Sequence, residues 1–480
     1  MGYKPIFVTL LKSSTVTTWL SFLTKALSFI VVLPLILNRY SPPDISLWHL
    51  FLTVWSFQMV FDAGFGSAFV RIIAYGSVGV KNFSFSVVEE KEEMISETTQ
   101  DIPFLKSTLQ VMKSFYLVLA IVCFFILITF GTYFFEKPIL EASFVSLGWK
   151  NWYFFVLTYP LLIWGNIYVN FLIGNHFIPQ LRIGETVFNL LSIITVSVLG
   201  YLQCNIHWLI FSYQCWFVLG VFRNILICKI FLGHIRLSTV RESSTKQVKE
   251  LVLSNALKSG IGVAMAQGVT QGTSLLYAQV TSPALLASYL VGLNIANSIK
   301  SFAQAPFYSK LPLLATLMGK GQKAKLAEVS ALNMRRVYVI FLFFFLLTTV
   351  THQYVFELIG SKVAFPDLKI WFLIGFGILI ERFGAMHLQV YSTSNHIIWH
   401  WLNGITGLIL LVFFIVTLPK IGLYAFPAGY AFAYLCFYSW YAPKISYELL
   451  KTTFWKFERF SFLPMLIIFF LFSVLILNIY

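Results

Sequence analysis

Residues 14–37 read STVTTWLSFLTKALSFIVVLPLIL, with Lys25 as their one formal charge. As an α-helix this stretch would extend about 36 Å, enough to cross a hydrocarbon core of about 30 Å. It is too long, and lacks the small-residue cleavage site, for a removable leader, so it reads as a membrane helix. Its lysine raises the question that organises the rest of the chain: why charge should be kept at membrane depth.

The composition repeats this pattern. The chain has 480 residues, 58% of them hydrophobic and 11% charged, with 50 phenylalanines. That balance excludes a soluble domain and gives an all-α polytopic membrane protein. Further apolar segments are expected at 46–75, 108–135, 149–174, 180–202 and 206–232, and, after a polar connector, at 251–279, 284–310, 333–357, 368–391, 397–418, 421–443 and 461–479. They divide the chain into an N-terminal lobe of six membrane helices (1–232), a cytoplasmic connector (233–250), a C-terminal lobe of six (251–448), and a cytoplasmic linker with an additional C-terminal helix (449–480). Ser41-Pro42 opens the second segment and Ser282-Pro283 the eighth, each with an aromatic six residues after the proline, Trp48 and Tyr289. This suggests an internal repeat, a recurrent plan in transporters.

The net charge of +15 is not a nucleic-acid signature, because its placement matters more than its sum. Arg39, Lys137, Lys150, Lys362, Lys369 and Lys420 fall on one side of the membrane, while most other loop Lys and Arg fall on the opposite side. The positive-inside rule then makes the N-terminus cytoplasmic. The acidic run Glu89–Glu93, broken by Lys91, reads as a solvated surface. The five cysteines form no CxxC pair, so neither a metal site nor a disulfide framework is expected.

Six basic residues lie inside the spans: Lys25, Arg71, Arg223, Lys258, Lys300 and Arg382. Only Asp62, Glu185 and Glu381 oppose them. A charge near the bilayer centre is unfavourable by about 2.5 kcal/mol or more on insertion scales, and such residues commonly line a pathway or a binding site. A surplus of positive charge suits an anionic substrate. Arg71, far along its helix, is better read as an interfacial anchor. Thr17, Ser21, Lys25 and Ser28 share one helical face; so do Gly260, Ala264, Gln267, Gln271 and Ser274; and Asn294, Asn297, Ser301 and Gln304 form a third beside Lys300. Small and amide residues also pack membrane helices together, which accounts for the Gly and Ala positions better than for the lysines. The candidate substrate-binding set is therefore Lys25, Arg223, Lys258, Lys300, Arg382, Asn297 and Gln267.

Among the carboxylates, Asp62 reads either as half of an ion pair or as a proton or cation site. Glu185 suits the positive end of its helix dipole. Glu381 and Arg382 lie about 100° apart around their helix and need not pair. Asp62, Glu381 and Glu185 form the candidate ion-coupling set. His387 and His396 lack metal-ligand spacing and read as ordinary.

Leu33-Pro34-Leu35-Ile36-Leu37, Tyr40-Ser41-Pro42, Leu47-Trp48-His49-Leu50-Phe51-Leu52-Thr53 and Phe61-Asp62-Ala63-Gly64-Phe65-Gly66-Ser67-Ala68-Phe69-Val70-Arg71 together resemble the opening of Wzx-type flippases. These form the polysaccharide transport branch of the superfamily that also holds the MATE exporters and the lipid II flippases. The resemblance implies two six-helix pseudo-symmetric lobes around a central cavity in a bacterial cytoplasmic (inner) membrane. It implies inner-to-outer transfer, by alternating access, of an undecaprenyl-diphosphate-linked oligosaccharide of an O-antigen, capsule or other exopolysaccharide. It further implies a coupling proton or sodium ion, no other cofactor, and a polysaccharide polymerase and chain-length regulator as partners besides the lipid bilayer. The segment 461–479 departs from the even helix count usual in that branch.

Three other readings compete. A MATE-like cation or drug antiporter should line its site with carboxylates, whereas cations predominate here. A lipid II flippase shares the diphosphate argument. A membrane enzyme such as a polymerase or acyltransferase needs a catalytic cluster, commonly in a large outer loop, and the sequence offers none, so no covalent chemistry is expected.

Overall fold

Backbone N–H and C=O groups in hydrocarbon must satisfy one another. In the computed structural model the described residues do so with helices and no strands. These residues are 14–58, 102–237, 272–394 and 398–479, with positions 62, 65, 66, 69, 70, 72, 73 and 268. The side chain of Lys25, and Arg71, Lys258, Gln267, Gln271 and His396 altogether, lie outside the described set.

The helices are α1 Ser14–Arg39, α2 Pro42–Ser56, α3 Ile102–Ile126, α4 Thr132–Glu141, α5 Val145–Gly174, α6 Ile178–Tyr201, α7 Ile206–Leu237, α8 Pro283–Ala303, α9 Ala305–Tyr308, α10 Leu311–Gly319, α11 Lys323–Ile359, α12 Leu368–Ser392, α13 Trp399–Ile421, α14 Ala425–Ala433, α15 Ser439–Leu450, α16 Phe454–Glu458 and α17 Phe462–Ile479. Single π-helical turns, Leu127–Gly131 and Tyr434–Tyr438, join α3 to α4 and α14 to α15. Seven helical stretches among the described residues are long and apolar enough to cross a membrane. The protein is thus an all-α, multi-pass membrane protein. Its outer faces agree: Leu117, Val118, Ile121 and Phe125 of α3 and Leu408, Val412 and Ile415 of α13 are exposed, as side chains in contact with lipid would be.

The two Ser-Pro motifs start their helices alike. Ile45 N donates to Ser41 O at 2.9 Å, and Leu286 N donates to Ser282 O at 2.9 Å. Proline's missing N–H costs nothing at a helix start, and its φ is already helical. The segment expected to run unbroken over 284–310 is interrupted at Gln304, ahead of Pro306, which cannot donate to the preceding turn.

The chain forms two compact units, residues 1–39 with 54–264 and residues 40–53 with 265–480. In the first, α5 is the central element and packs against α3 and α7. Its buried face includes Trp152, Phe155 and Tyr159, with Trp152 stacked on Phe135 at 4.2 Å. Helix α1 packs along α6, where Gly200 leaves room for Leu35.

In the second unit α12 is central. It is buried almost all round between Trp371 and Val390, against α8, α14, α15 and α17. Its glycines admit close neighbours. A Cβ on Gly377 would lie 2.6 Å from Tyr430, one on Gly384 2.6 Å from Tyr438, and one on Gly375 would collide with the Phe345 ring. Phe345 is itself stacked on Trp371 at 4.5 Å, and Trp371 Nε1 donates to Thr349 Oγ1 at 2.8 Å, so the ring has little freedom to retreat.

Gly375→Ala should therefore overpack this seam and destabilise the purified protein by about 1–3 kcal/mol. Gly220, with open space around its Cβ position, should accept alanine without loss. Thermal denaturation in detergent, followed by loss of the monodisperse chromatographic peak, compares the two; equal melting of both variants would contradict this packing.

Candidate functional site

Among the described residues, polar side chains gather around Glu381, Asp62 and His387. The first cluster joins α8 to α12 in the second unit. Arg382 Nε donates to Glu381 Oε2 at 2.6 Å, and its Nη2 donates to Glu381 Oε1. Arg382 Nη1 donates to Gln304 Oε1 at 2.7 Å, and Lys300 Nζ lies 3.9 Å from Glu381 Oε2. The neighbours Glu381 and Arg382, which helix geometry alone does not require to pair, thus do so. The arginine stem is long enough to fold back and lay the guanidinium fork along the carboxylate.

Two cations share one carboxylate here. The carboxylate lies deepest, with a side chain 9% exposed, against 12% for Arg382 and 17% for Lys300. The accessible part of the cluster is therefore cationic. Half-buried Tyr430 of α14 and buried Tyr434 and Tyr438 of the following π-helical turn, with successive rings 4.8 and 5.1 Å apart, lie within electrostatic range of the pair. They supply apolar walls with polar tips.

The second cluster surrounds Asp62 in the first unit. Tyr116 Oη donates to Asp62 Oδ1 at 2.6 Å, and Gly66 N donates to Oδ2 at 3.2 Å. Asn170 Nδ2 donates to the Tyr116 hydroxyl at 2.8 Å. Asn166 lies within electrostatic range of the carboxylate, and its own carbonyl accepts from Gln58 Nε2 at 2.8 Å. A Cβ at Gly66 would run into Asp62 Oδ2 and lie 2.8 Å from Asn170 Nδ2, so glycine is what lets this backbone close on the carboxylate. Among the described residues, every partner of Asp62 is neutral. The cage therefore suits a carboxylate that takes up a proton or a small cation better than one half of a fixed ion pair.

The third cluster is built on His387, which sequence reasoning passed over as ordinary. His387 is wholly buried, with Nε2 2.9 Å from Glu458 Oε1 and Nδ1 3.1 Å from Ser446 Oγ. Tyr447 Oη donates to Glu458 Oε1 at 2.9 Å and Ser461 Oγ to Oε2 at 2.5 Å. Both ring nitrogens of His387 thus have a polar partner within hydrogen-bond distance. The network ties α12 and α15 to the short helix α16.

The remaining candidates are placed as follows. Glu185 is not in the first turn of α6; it accepts from Arg182 at 2.7 Å and from Ser21 of α1 at 3.1 Å, so a local ion pair rather than the helix dipole accounts for it. Arg223 donates to Asn224 Oδ1 from Nε and Nη2 at 3.0 and 2.8 Å, and lies 4.8 Å over the Phe188 ring. Asn297 is half-buried on α8; Asn294 meets His49 at 2.9 Å, and Ser301 is exposed. Of the deep basic residues described, Lys300 and Arg382 share a site and Arg223 lies in the other unit. Among the described residues no group of His, Cys, Asp and Glu gathers as a metal site.

No protein-family model matches the chain, and no curated protein matches it. Solved structures do. An inward-facing multidrug resistance MATE family transporter of the MOP superfamily is 12% identical with a TM-score of 0.62, over 89% of this chain and 96% of that one. The lipid II flippase MurJ in an inward closed conformation is 14% identical with a TM-score of 0.59, over 97% of this chain and 98% of that one. An outward-facing MATE family transporter is 12% identical with a TM-score of 0.56, over 92% and 95%. The likeness is one of fold: the chain has the all-α, multi-pass architecture of these transporters.

The Glu381 and Asp62 clusters should respond unequally to neutralisation. Glu381→Gln strands two cations in a largely buried site and should destabilise by about 3 kcal/mol or more. Asp62→Asn removes a charge that has only neutral partners and should cost less than about 1 kcal/mol. Thermal stability of the two purified variants decides; greater damage from Asp62→Asn would contradict the assignment.

Proposed function

We propose that this protein is a flippase for an undecaprenyl-diphosphate-linked oligosaccharide, carrying it from the inner to the outer leaflet of a bacterial cytoplasmic membrane by alternating access. The observation that carries this reading is the Lys300–Glu381–Arg382 cluster, in which two cations and one carboxylate leave a surplus positive charge with its cationic atoms more accessible than the anion. A diphosphate is the ligand such a charge would hold: its oxygens can accept from the Lys300 ammonium and from any guanidinium donor that Gln304 releases. Lys25 and Lys258 are proposed to add to the same binding function. Lipid II carries the same diphosphate, so the charge argument applies to it equally; transport assays with defined substrates separate the two. A MATE-like cation exporter fits the cluster poorly, because its accessible atoms are cationic.

The Asp62 cage is proposed as the coupling site. A carboxylate surrounded by Tyr116, Asn166, Asn170 and the Gly66 N–H can alternate between a protonated or cation-bound form and an empty one without breaking an ion pair. The N-terminus is proposed to be cytoplasmic and, with an odd number of spans, Tyr480 to face the outside. A polymerase and a chain-length regulator are proposed to act on the delivered substrate. The protein's own part involves no covalent step.

Lys300→Gln should lower surface polysaccharide and trap lipid-linked units on the inner leaflet at normal protein levels. Loss of one charge-assisted contact corresponds to about 1.5–3 kcal/mol, or about ten- to hundredfold in capture. Lys300→Arg should retain more function. Full complementation of a null strain by Lys300→Gln at low expression would refute the cationic site. Asp62→Asn should insert normally yet flip at a rate that no longer follows the ion gradient; unchanged gradient dependence would remove Asp62 from coupling.

A further inference from the structure

Helices α15 and α17 both belong to membrane-length apolar stretches, and residues 451–461 link them, so the chain turns round there at a membrane–water interface. The connector is two-faced. Phe457 and Glu458 are buried, and Glu458 is held by His387, Tyr447 and Ser461. The connector's sole carboxylate is thereby withdrawn from its surface. What remains outside is Lys451, Thr453, Phe454, Trp455, Lys456, Arg459 and Phe460. The guanidinium of Arg459 lies 4.5 Å over the Phe460 ring. Just before the connector, exposed Lys444 lies 5.8 Å over the Trp440 ring, and Glu448 is the one exposed carboxylate of that turn.

Exposed Trp and Phe beside cations match the headgroup layer, where rings sit at the acyl boundary and Lys or Arg reach the phosphates. Each cation close to an anionic surface adds attraction. We propose that the 451–460 connector is a seat for anionic phospholipid headgroups, with Lys451, Lys456 and Arg459 contacting phosphate, Trp455 and Phe460 set at the acyl boundary, and the buried His387–Glu458 contact fixing which face meets the lipid. The seat rests on the membrane-spanning fold and not on the substrate or coupling assignments above. His387 and Glu458 act as positioning residues, since they do not touch lipid.

The test is hydrogen exchange of the peptide covering 451–461, with the full-length protein in nanodiscs of phosphatidylcholine alone or mixed with phosphatidylglycerol. Exchange should be about fivefold slower or more with the anionic lipid. The Lys451→Gln/Lys456→Gln/Arg459→Gln variant, altered only at exposed positions, should lose that difference. Glu458→Gln keeps every exposed cation but weakens the latch; it should exchange faster in both lipids and show a smaller difference. Equal exchange of the parent protein in the two lipids overturns the seat, as does a difference that survives the triple substitution. An unchanged difference in Glu458→Gln overturns the latch.

Discussion

The second unit depends on one electrostatic constraint: Glu381 lies on a helix buried almost all round, where a lone carboxylate would be strongly unfavourable. The protein meets it with two cations instead of one. Arg382 folds back along the carboxylate and Lys300 approaches from α8, while Gln304 takes one of the guanidinium's remaining donors. The excess charge this creates is itself a liability unless something anionic, or water, comes to it. Flanking glycines at 375, 377 and 384 let the aromatic neighbours of α12 approach closely, so the cluster is fixed by packing as well as by charge.

Glu381 and Asp62 are handled differently, and the difference bears on function. Glu381 is neutralised by cations and so has little reason to bind another. Asp62 is surrounded by a phenol, two amides and a backbone N–H. Hydrogen bonds of this kind hold a carboxylate in place without cancelling its charge, the condition under which a proton or a small cation can come and go. An overpopulation of basic residues at depth therefore coexists with one anionic site suited to coupling.

Much of this was legible in the sequence for physical reasons. Apolar length and the charge pattern give an all-α multi-pass protein, and Ser-Pro marks the starts of α2 and α8. Lys300, Arg382 and Glu381 stood out because charge is rare in such segments. The Asp62 cage was partly readable: Gln58, Asp62 and Gly66 are four apart, as are Asn166 and Asn170, but the contribution of Tyr116 from another helix was not. Angular position on the helix left the Glu381–Arg382 pair open, and side-chain length decided it. The His387–Glu458 contact spans 71 residues, and nothing local marks it beyond a single acidic residue among the aromatics and bases of the connector.

Surplus buried positive charge is proposed to recognise a lipid diphosphate. The most direct measurement is binding of undecaprenyl diphosphate and of undecaprenol, which share a tail and differ in charge, to the purified protein and to its Lys300→Gln variant. The account predicts that the diphosphate binds the parent protein at least about tenfold more tightly than the alcohol does, and that Lys300→Gln removes most of that advantage. Equal affinity of the two lipids, or an advantage that Lys300→Gln leaves intact, would contradict it.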